Sequence, residues 1–458
     1  MTRISSSPAP RDTFRRTFIA TVVVLSLLCA GFVALDFVMG PKLERVQVDT
    51  AEVVRQGDQQ VRFFSSEQLG DASSARLSIV PDVDASVSVS GQVLAVQFAR
   101  PLDYDTEYTV TVEGITNTAD EQEATFTTSF QTDDPPIYLL DRDPGGDTIQ
   151  RTTVGSTERT VVFTATGIED FVLVGSVLAV TTVTDDGSSA LQLVSLDDGK
   201  TEQLPLPVAG VVSQLAATPF GSTIGFALTS MDDPYSPEVN SVLYTLDLSG
   251  DRSFATVPSL TGEPLEVQGW AFVPGATTLV AQDLDSDVAL FDLADPASVT
   301  PLGHFSDFDG LSTDGSAALV TNQLGPVRLD LADLSQVAIT PSVVDAFGGD
   351  VTLLRDGKRT QVIAVTEGTT GVFESYIVRD DGTTAEKIYE TVDQKGRIIG
   401  STPSPNDQYL AIEVEPNAAD SVTDGYPVNP RSTTITTVIV EIATGAVVRS
   451  LEGFAIDW

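Results

Sequence analysis

Short apolar runs, broken by polar turns about every ten residues, fill the chain from Val46 to Trp458. Ser86-Val87-Ser88-Val89-Ser90 alternates strictly and turns at Gly91, the pattern of a strand with one buried face. Tyr409-Leu410-Ala411-Ile412 is instead continuously apolar, as a strand covered on both faces would be. From Ile137 onward no helical period is evident. The pattern predicts an all-β protein.

Residues 46–132 carry six or seven such strands. They are Val61-Arg62-Phe63-Phe64, Arg76-Leu77-Ser78-Ile79-Val80, 86–90, Val93-Leu94-Ala95-Val96-Gln97-Phe98, 106–112 and 125–130, with Pro81 ending one and Pro101-Leu102 leading into another. That density predicts a β-sandwich. Phe63, Leu94, Pro101-Leu102, Thr106-x-Tyr108-Thr109-Val110-x-Val112 and Phe126-Thr127-Thr128-Ser129-Phe130 together resemble the bacterial Ig-like domains of S-layer and other cell-surface proteins. The resemblance implies a spacer or adhesive module. Tyr108 is expected in the core or at a strand corner.

After a stiff linker at 133–136, Asp-Asp-Pro-Pro, two hairpin types alternate over 137–458. The first has a polar turn before an apolar strand. Aligning Pro219, Pro274, Thr313, Arg355 and Pro405 gives spacings of 55, 39, 42 and 50 residues, with a degenerate copy at 173–180. The second is an apolar strand followed by an Asp-rich turn. It recurs at 193–200, 243–250, 288–295, 327–331, 376–382 and 438–445, and Ile137 to Gly146 is read as an early copy. Four strands per such period predict a β-propeller of six or seven blades. Phe454-Ala455-Ile456-Asp457-Trp458 reads as an innermost strand, so both ends of 137–458 are expected to share a closing blade. Ser404-Pro405-Asn406-Asp407 and Thr313-Asp314-Gly315 resemble the turns of extracellular TolB-like and WD40-like propellers.

Charge and the N-terminus set the address. Residues 18–35 carry no charge, and 37–39 extend the apolar run past Asp36. This is long enough to cross a bilayer as a helix. Arg3, Arg11, Arg15 and Arg16 precede it, so residues 1–17 are expected in the cytoplasm and the rest outside. A cleaved signal peptide would need a small-x-small site, to which Cys29-Ala30-Gly31 is the nearest approach, and a lipoprotein box would need a small residue where Leu28 stands. An uncleaved anchor at 18–39, in contact with lipid, is the expectation. Cys29 is the sole cysteine, so no intrachain disulfide forms. The net charge of −40 argues against nucleic acid as a partner.

Candidate chemistry is sparse. His304 is the only histidine, and no Gly-x-Ser-x-Gly elbow occurs, so no catalytic residue is named. Asp283, Asp285 and Asp287 would line one side of an extended segment, and calcium is the cation they would take. The complete calcium-loop signature is missing, so no metal or other cofactor is expected; solvated turn carboxylates are the plainer reading. Trp270 and Trp458 are expected in blade cores. Tyr235 and Tyr426 sit in two long loops, 231–240 and 416–432, where a partner would be met on a rigid scaffold. The expected function is a membrane-anchored, extracytoplasmic binding or scaffold protein whose partner is a protein, peptide or wall polymer. A lactonase-like or lyase-like enzyme using channel carboxylates and a metal is the alternative, followed by a purely structural envelope component.

Overall fold

The computed structural model describes residues 18, 21–22, 40–118, 122–233, 235–343, 347–367 and 372–458. The span expected at 18–39 lies outside them except for Phe18, Thr21 and Val22. Among the described residues no helix is long and apolar enough to cross a membrane. The chain divides into two units, 1–102 with 106–133 and 103–105 with 134–458.

The first unit holds two antiparallel sheets. One orders Leu43–Gln47, Gln60–Ser65, Val93–Phe98 and Ala85–Ser90; the other orders Arg76–Val80, Glu107–Ile115 and Ala124–Gln131. Alternation decides which side chains turn inward: Leu94, Val96 and Phe98 from one sheet, Tyr108, Val110 and Val112 from the other, all buried. Phe63 and Phe126 stack between the sheets with ring centroids 6.1 Å apart. Tyr108 is buried and stacks on Phe130, also at 6.1 Å. Leu43–Gln47 is a strand that the apolar pattern did not signal, because Glu44, Arg45 and Gln47 interrupt it.

The second unit is a β-propeller of seven four-stranded antiparallel sheets. Six are continuous in sequence, at 168–204, 210–256, 267–304, 307–338, 347–390 and 397–452, each with its first strand innermost. We number these blades one to six. The seventh orders Thr160–Ala165, Asp147–Thr153, Pro136–Asp141 and Phe454–Asp457, so the C-terminal strand pairs with the N-terminal ones and closes the ring. Closure leaves no free inner edge at the seam.

Apolar clusters run between neighbouring blades rather than within them. Leu191 and Leu193 of blade one meet Ile224 and Phe226 of blade two. Val362 and Ile377 of blade five meet Leu410 and Ile412 of blade six. Leu140, Ile149 and Phe454 of the closing blade meet Ile168 and Leu178 of blade one. A second strand such as Thr223–Ser230 is therefore covered on both faces, which is why it reads as a continuous apolar run. Each fully buried side chain of this kind contributes about 1.5–3 kcal/mol relative to exposure. Contact is close: a Cβ on Gly225 would stand 2.5 Å from Cη2 of Trp270. Trp270 is buried edge-on to Phe272, and Trp458 packs against the Ile137, Leu139 and Ile439 cluster.

The repeated polar turn joins the first and second strands of a blade. Ser404 Oγ donates to Asn406 Oδ1 (2.7 Å) and accepts from Tyr409 N (2.9 Å), while Gln408 N donates to Asn406 Oδ1 (3.2 Å). Ser312, Asp314, Ser316 and Ala317 repeat this pattern at 2.6, 3.0 and 3.0 Å. A hydroxyl at the first position and an Asx oxygen at the third thus satisfy the turn's own N–H groups. Asp407 then links three blades, accepting from Thr313 Oγ1 and from Arg355 N, both at 2.9 Å.

One expected hairpin needs correction. Ile137 to Gly146 is not of the second type: it joins the second and third strands of the closing blade, because the strand before it in the blade is supplied by Phe454–Asp457. The same apolar-then-Asp pattern serves both connections, so local sequence could not separate them.

Candidate interaction face

In an antiparallel blade with its first strand innermost, the connections sort onto two faces. First-to-second and third-to-fourth turns lie on one, which we call the turn face. Second-to-third connections and the links between blades lie on the other, the loop face. Both long loops belong to the loop face, since 231–240 leaves Thr223–Ser230 and 416–432 leaves Tyr409–Glu415, each the second strand of its blade.

The two loops do different things. The 416–432 loop folds onto the closing seam around Arg142, whose side chain is 5% exposed. Arg142 Nη1 donates to Asp424 Oδ2 (2.6 Å) and Asn429 O (2.8 Å). Its Nε and Nη2 donate to Ile168 O and Glu169 O, both at 3.0 Å. The Tyr426 ring lies 3.7 Å from the guanidinium carbon, and the Phe454 ring 4.9 Å from it. Buried Glu169 accepts from the N–H groups of Val428 (3.3 Å) and Asn429 (3.0 Å). The Tyr426 hydroxyl donates to Asp147 Oδ2 at 2.6 Å, and Ile168 N donates to the same oxygen at 2.7 Å. Burial and the Asp147 carboxylate beside it push the Tyr426 hydroxyl well above the usual phenol range. Blade six, the closing blade and blade one are thereby tied together. Tyr426, expected as a partner contact, is part of this latch.

Tyr235 is 96% exposed. Its loop is ordered by its own carboxylates: Tyr235 N donates to Asp233 Oδ1 (2.9 Å), and Glu238 N donates to Asp232 Oδ2 (3.2 Å). The Ser230 hydroxyl bonds to Asp232, and this holds the exposed Asp232 carboxyl below the usual range. The backbone is pinned and the ring points away from it.

Asp283, Asp285 and Asp287 lie on the same face, in the turn after Thr278–Asp283. They are not gathered as ligands. Ser286 adopts a left-handed φ of 69°, which breaks the extended geometry that would have aligned the three carboxylates. Asp283 Oδ1 instead accepts from Asp285 N and Asp287 N, both at 2.9 Å. Asp287 Oδ1 lies 3.1 Å from Nδ1 of His304, an exposed side chain on the outermost strand of that blade. Among the described residues no group of three or more His, Cys, Asp or Glu is placed to hold a metal ion.

Two carboxylates on innermost strands are perturbed. Burial pushes Asp170 up to about 7, against the Phe171 N–H at 2.8 Å and the Arg431 and Arg142 charges, with Asp457 adding to the rise. Burial also raises Asp309, opposed by the Thr321 hydroxyl at 3.0 Å and reinforced by Asp307 and Asp350. Sequence reasoning singled out neither these nor Arg142, Asp147 and Glu169. Arg142 stands in an Asp-Arg-Asp-Pro-Gly-Gly turn that reads as solvated. The one available signal was Glu169-Asp170 set directly within the apolar run around Ile168 and Phe171.

Exposed large apolar side chains are unevenly placed. In the loop-face connections Tyr235, Leu260, Leu284, Leu324, Val392 and Val422 are exposed, Leu324 at 98%. In the turn-face connections Phe220 and Leu334 are.

The sequence matches no protein-family model and no curated protein. Among solved structures it is similar to a putative 6-phosphogluconolactonase from Bacteroides uniformis, at 14% identity and a TM-score of 0.44, over 70% of this chain and 98% of that one. It is similar to TolB from Acinetobacter baumannii, at 14% identity and a TM-score of 0.37, over 78% of this chain and 79% of that one. It is also similar to the β-propeller domain of Myceliophteria thermophila Cps50 (Swd1), at 14% identity and a TM-score of 0.40, over 63% and 88%. These are likenesses of fold alone.

Proposed function

We propose that this chain is a membrane-anchored, extracytoplasmic binding protein that displays its propeller on an Ig-like stalk and engages a partner protein through the loop face. The observation that carries the reading is the bias of exposed apolar side chains, Tyr235 foremost, toward the loop-face connections rather than the turn-face ones. The apolar, uncharged run at 18–35 behind four arginines supports the anchor. The test is proximity labelling from a labelling enzyme tethered to the propeller of the full chain in intact cells. An extracytoplasmic protein should be labelled saturably, and Tyr235→Ser combined with Leu324→Ser should reduce that signal. Labelling of cytoplasmic proteins alone would overturn the topology and the function together.

An enzymatic reading has one observation in its favour, the raised carboxyls of Asp170 and Asp309 on innermost strands. A lactonase-like or lyase-like activity would place its acid or base there. Metal analysis of the purified protein, with Asp170→Asn and Asp309→Asn, separates the two readings. Stoichiometric metal that these changes remove while the fold persists would favour the enzyme.

A further inference from the structure

The binding reading leaves the chemistry of the partner open, and the charge of the two faces narrows it. Loop-face connections carry exposed carboxylates on several blades, among them Asp185, Asp186, Asp233, Glu238, Glu263 and Asp285. Their bases are few. Arg142 and Arg431 are turned into the latch, where Arg431 Nε meets Glu413 Oε2 at 3.1 Å, and Lys395 is the one exposed base among the described residues of those connections. Turn-face connections carry Lys200, Arg252 and Lys358 in solvent, beside exposed carboxylates of their own such as Asp197, Asp251 and Asp295, while Arg355 is held on Asp407. On the loop face, exposed apolar groups therefore coincide with carboxylates that have a single exposed base among them.

We infer that the loop face docks a basic polypeptide segment bearing apolar side chains, supplied by the partner protein. Its hydrophobic residues meet Tyr235, Leu260 and Leu324, and its Lys or Arg residues meet the surrounding carboxylates. Aromatic and aliphatic anchors supply affinity, while complementary charge sets approach rate and excludes acidic partners. This rests on the reading of the propeller as a binding head.

The probe is a fluorescent synthetic peptide repeating Lys-Leu-Lys-Phe, titrated against the full-length protein by fluorescence anisotropy. Matched peptides repeat Glu-Leu-Glu-Phe and Lys-Ser-Lys-Ser. The Lys-Leu-Lys-Phe peptide should bind saturably, at least about tenfold tighter than either control, and weaken several-fold between about 0.05 M and about 0.5 M salt. Tyr235→Ser, Leu260→Ser and Leu324→Ser together should weaken it about tenfold. Phe220→Ser with Leu334→Ser, on the turn face, should leave it unchanged. All five positions are exposed, so an unchanged melting temperature confirms that the variants fold. Equal binding of Lys-Ser-Lys-Ser, or equal loss from the turn-face pair, would overturn the inference. If labelling in cells still reports a partner through the loop face while no cationic probe binds, the inference fails and the binding reading stands.

Discussion

Tyr235 and Tyr426 occupy the same kind of place, a long connection between the second and third strands of a blade. One stands almost wholly in solvent and the other is locked over Arg142. Both loops carry prolines, carboxylates and a single tyrosine, although 416–432 is the longer. What differs is the neighbour: beside 416–432 the closing seam offers a buried guanidinium, the Asp147 carboxylate and Glu169, whereas the 231–240 loop satisfies its backbone with its own Asp232 and Asp233. A long loop on a propeller thus has two uses, and the surrounding polar groups decide between holding the ring and facing a partner.

The strongest way to break this contrast is Arg142→Met. It strands the buried carboxylates of Glu169 and Asp424, and should cost about 3–5 kcal/mol, read as a lowered urea midpoint. A midpoint equal to wild type would mean that the latch does not hold the seam. Asp170 sharpens the same seam through pH. Its folded value of about 7 lies above the ordinary 3.8, so the folded state holds a proton that the unfolded chain has released between those values. Stability should therefore fall from about pH 4 to about pH 7 by roughly 2–4 kcal/mol and then level off from this group. Asp170→Asn should remove that decline and be the more stable form at pH 8; an unchanged pH profile would refute the assignment.

Smaller effects separate the two tyrosines directly. Tyr426→Phe keeps the ring on Arg142 and removes the hydrogen bond to Asp147, which still accepts from Ile168 N. A loss of about 1–2 kcal/mol in chemical unfolding is expected. Tyr235→Ser should leave stability within about 0.5 kcal/mol, since it removes no buried contact. Its effect should appear in binding instead. A Tyr235→Ser variant as destabilised as Tyr426→Phe would erase the distinction.

Much of the sheet architecture was legible because strand signals are local. Ser86 to Ser90 alternates because one face of that strand is buried, and 409–412 is uniformly apolar because blades cover both faces. The turn motif was legible for the same reason, since Ser404, Asn406, Gln408 and Tyr409 bond within six residues. The site was far less so. Arg142 and Asp424 are 282 positions apart, and neither carries a local mark of its partner. The candidate alignment of Asp283, Asp285 and Asp287 along one side was drawn for an extended segment, and Ser286 makes a left-handed turn there instead.

The amino-acid sequence by itself determined strands, turns and the acidic, nearly base-free loops, because each depends on residues within one hairpin. Only the tertiary structure decided which connection each hairpin makes, which carboxylates are buried, and which of two similar tyrosines stays free. The latch around Arg142 depends on ring closure through Phe454–Asp457, which brings together groups from opposite ends of the propeller unit.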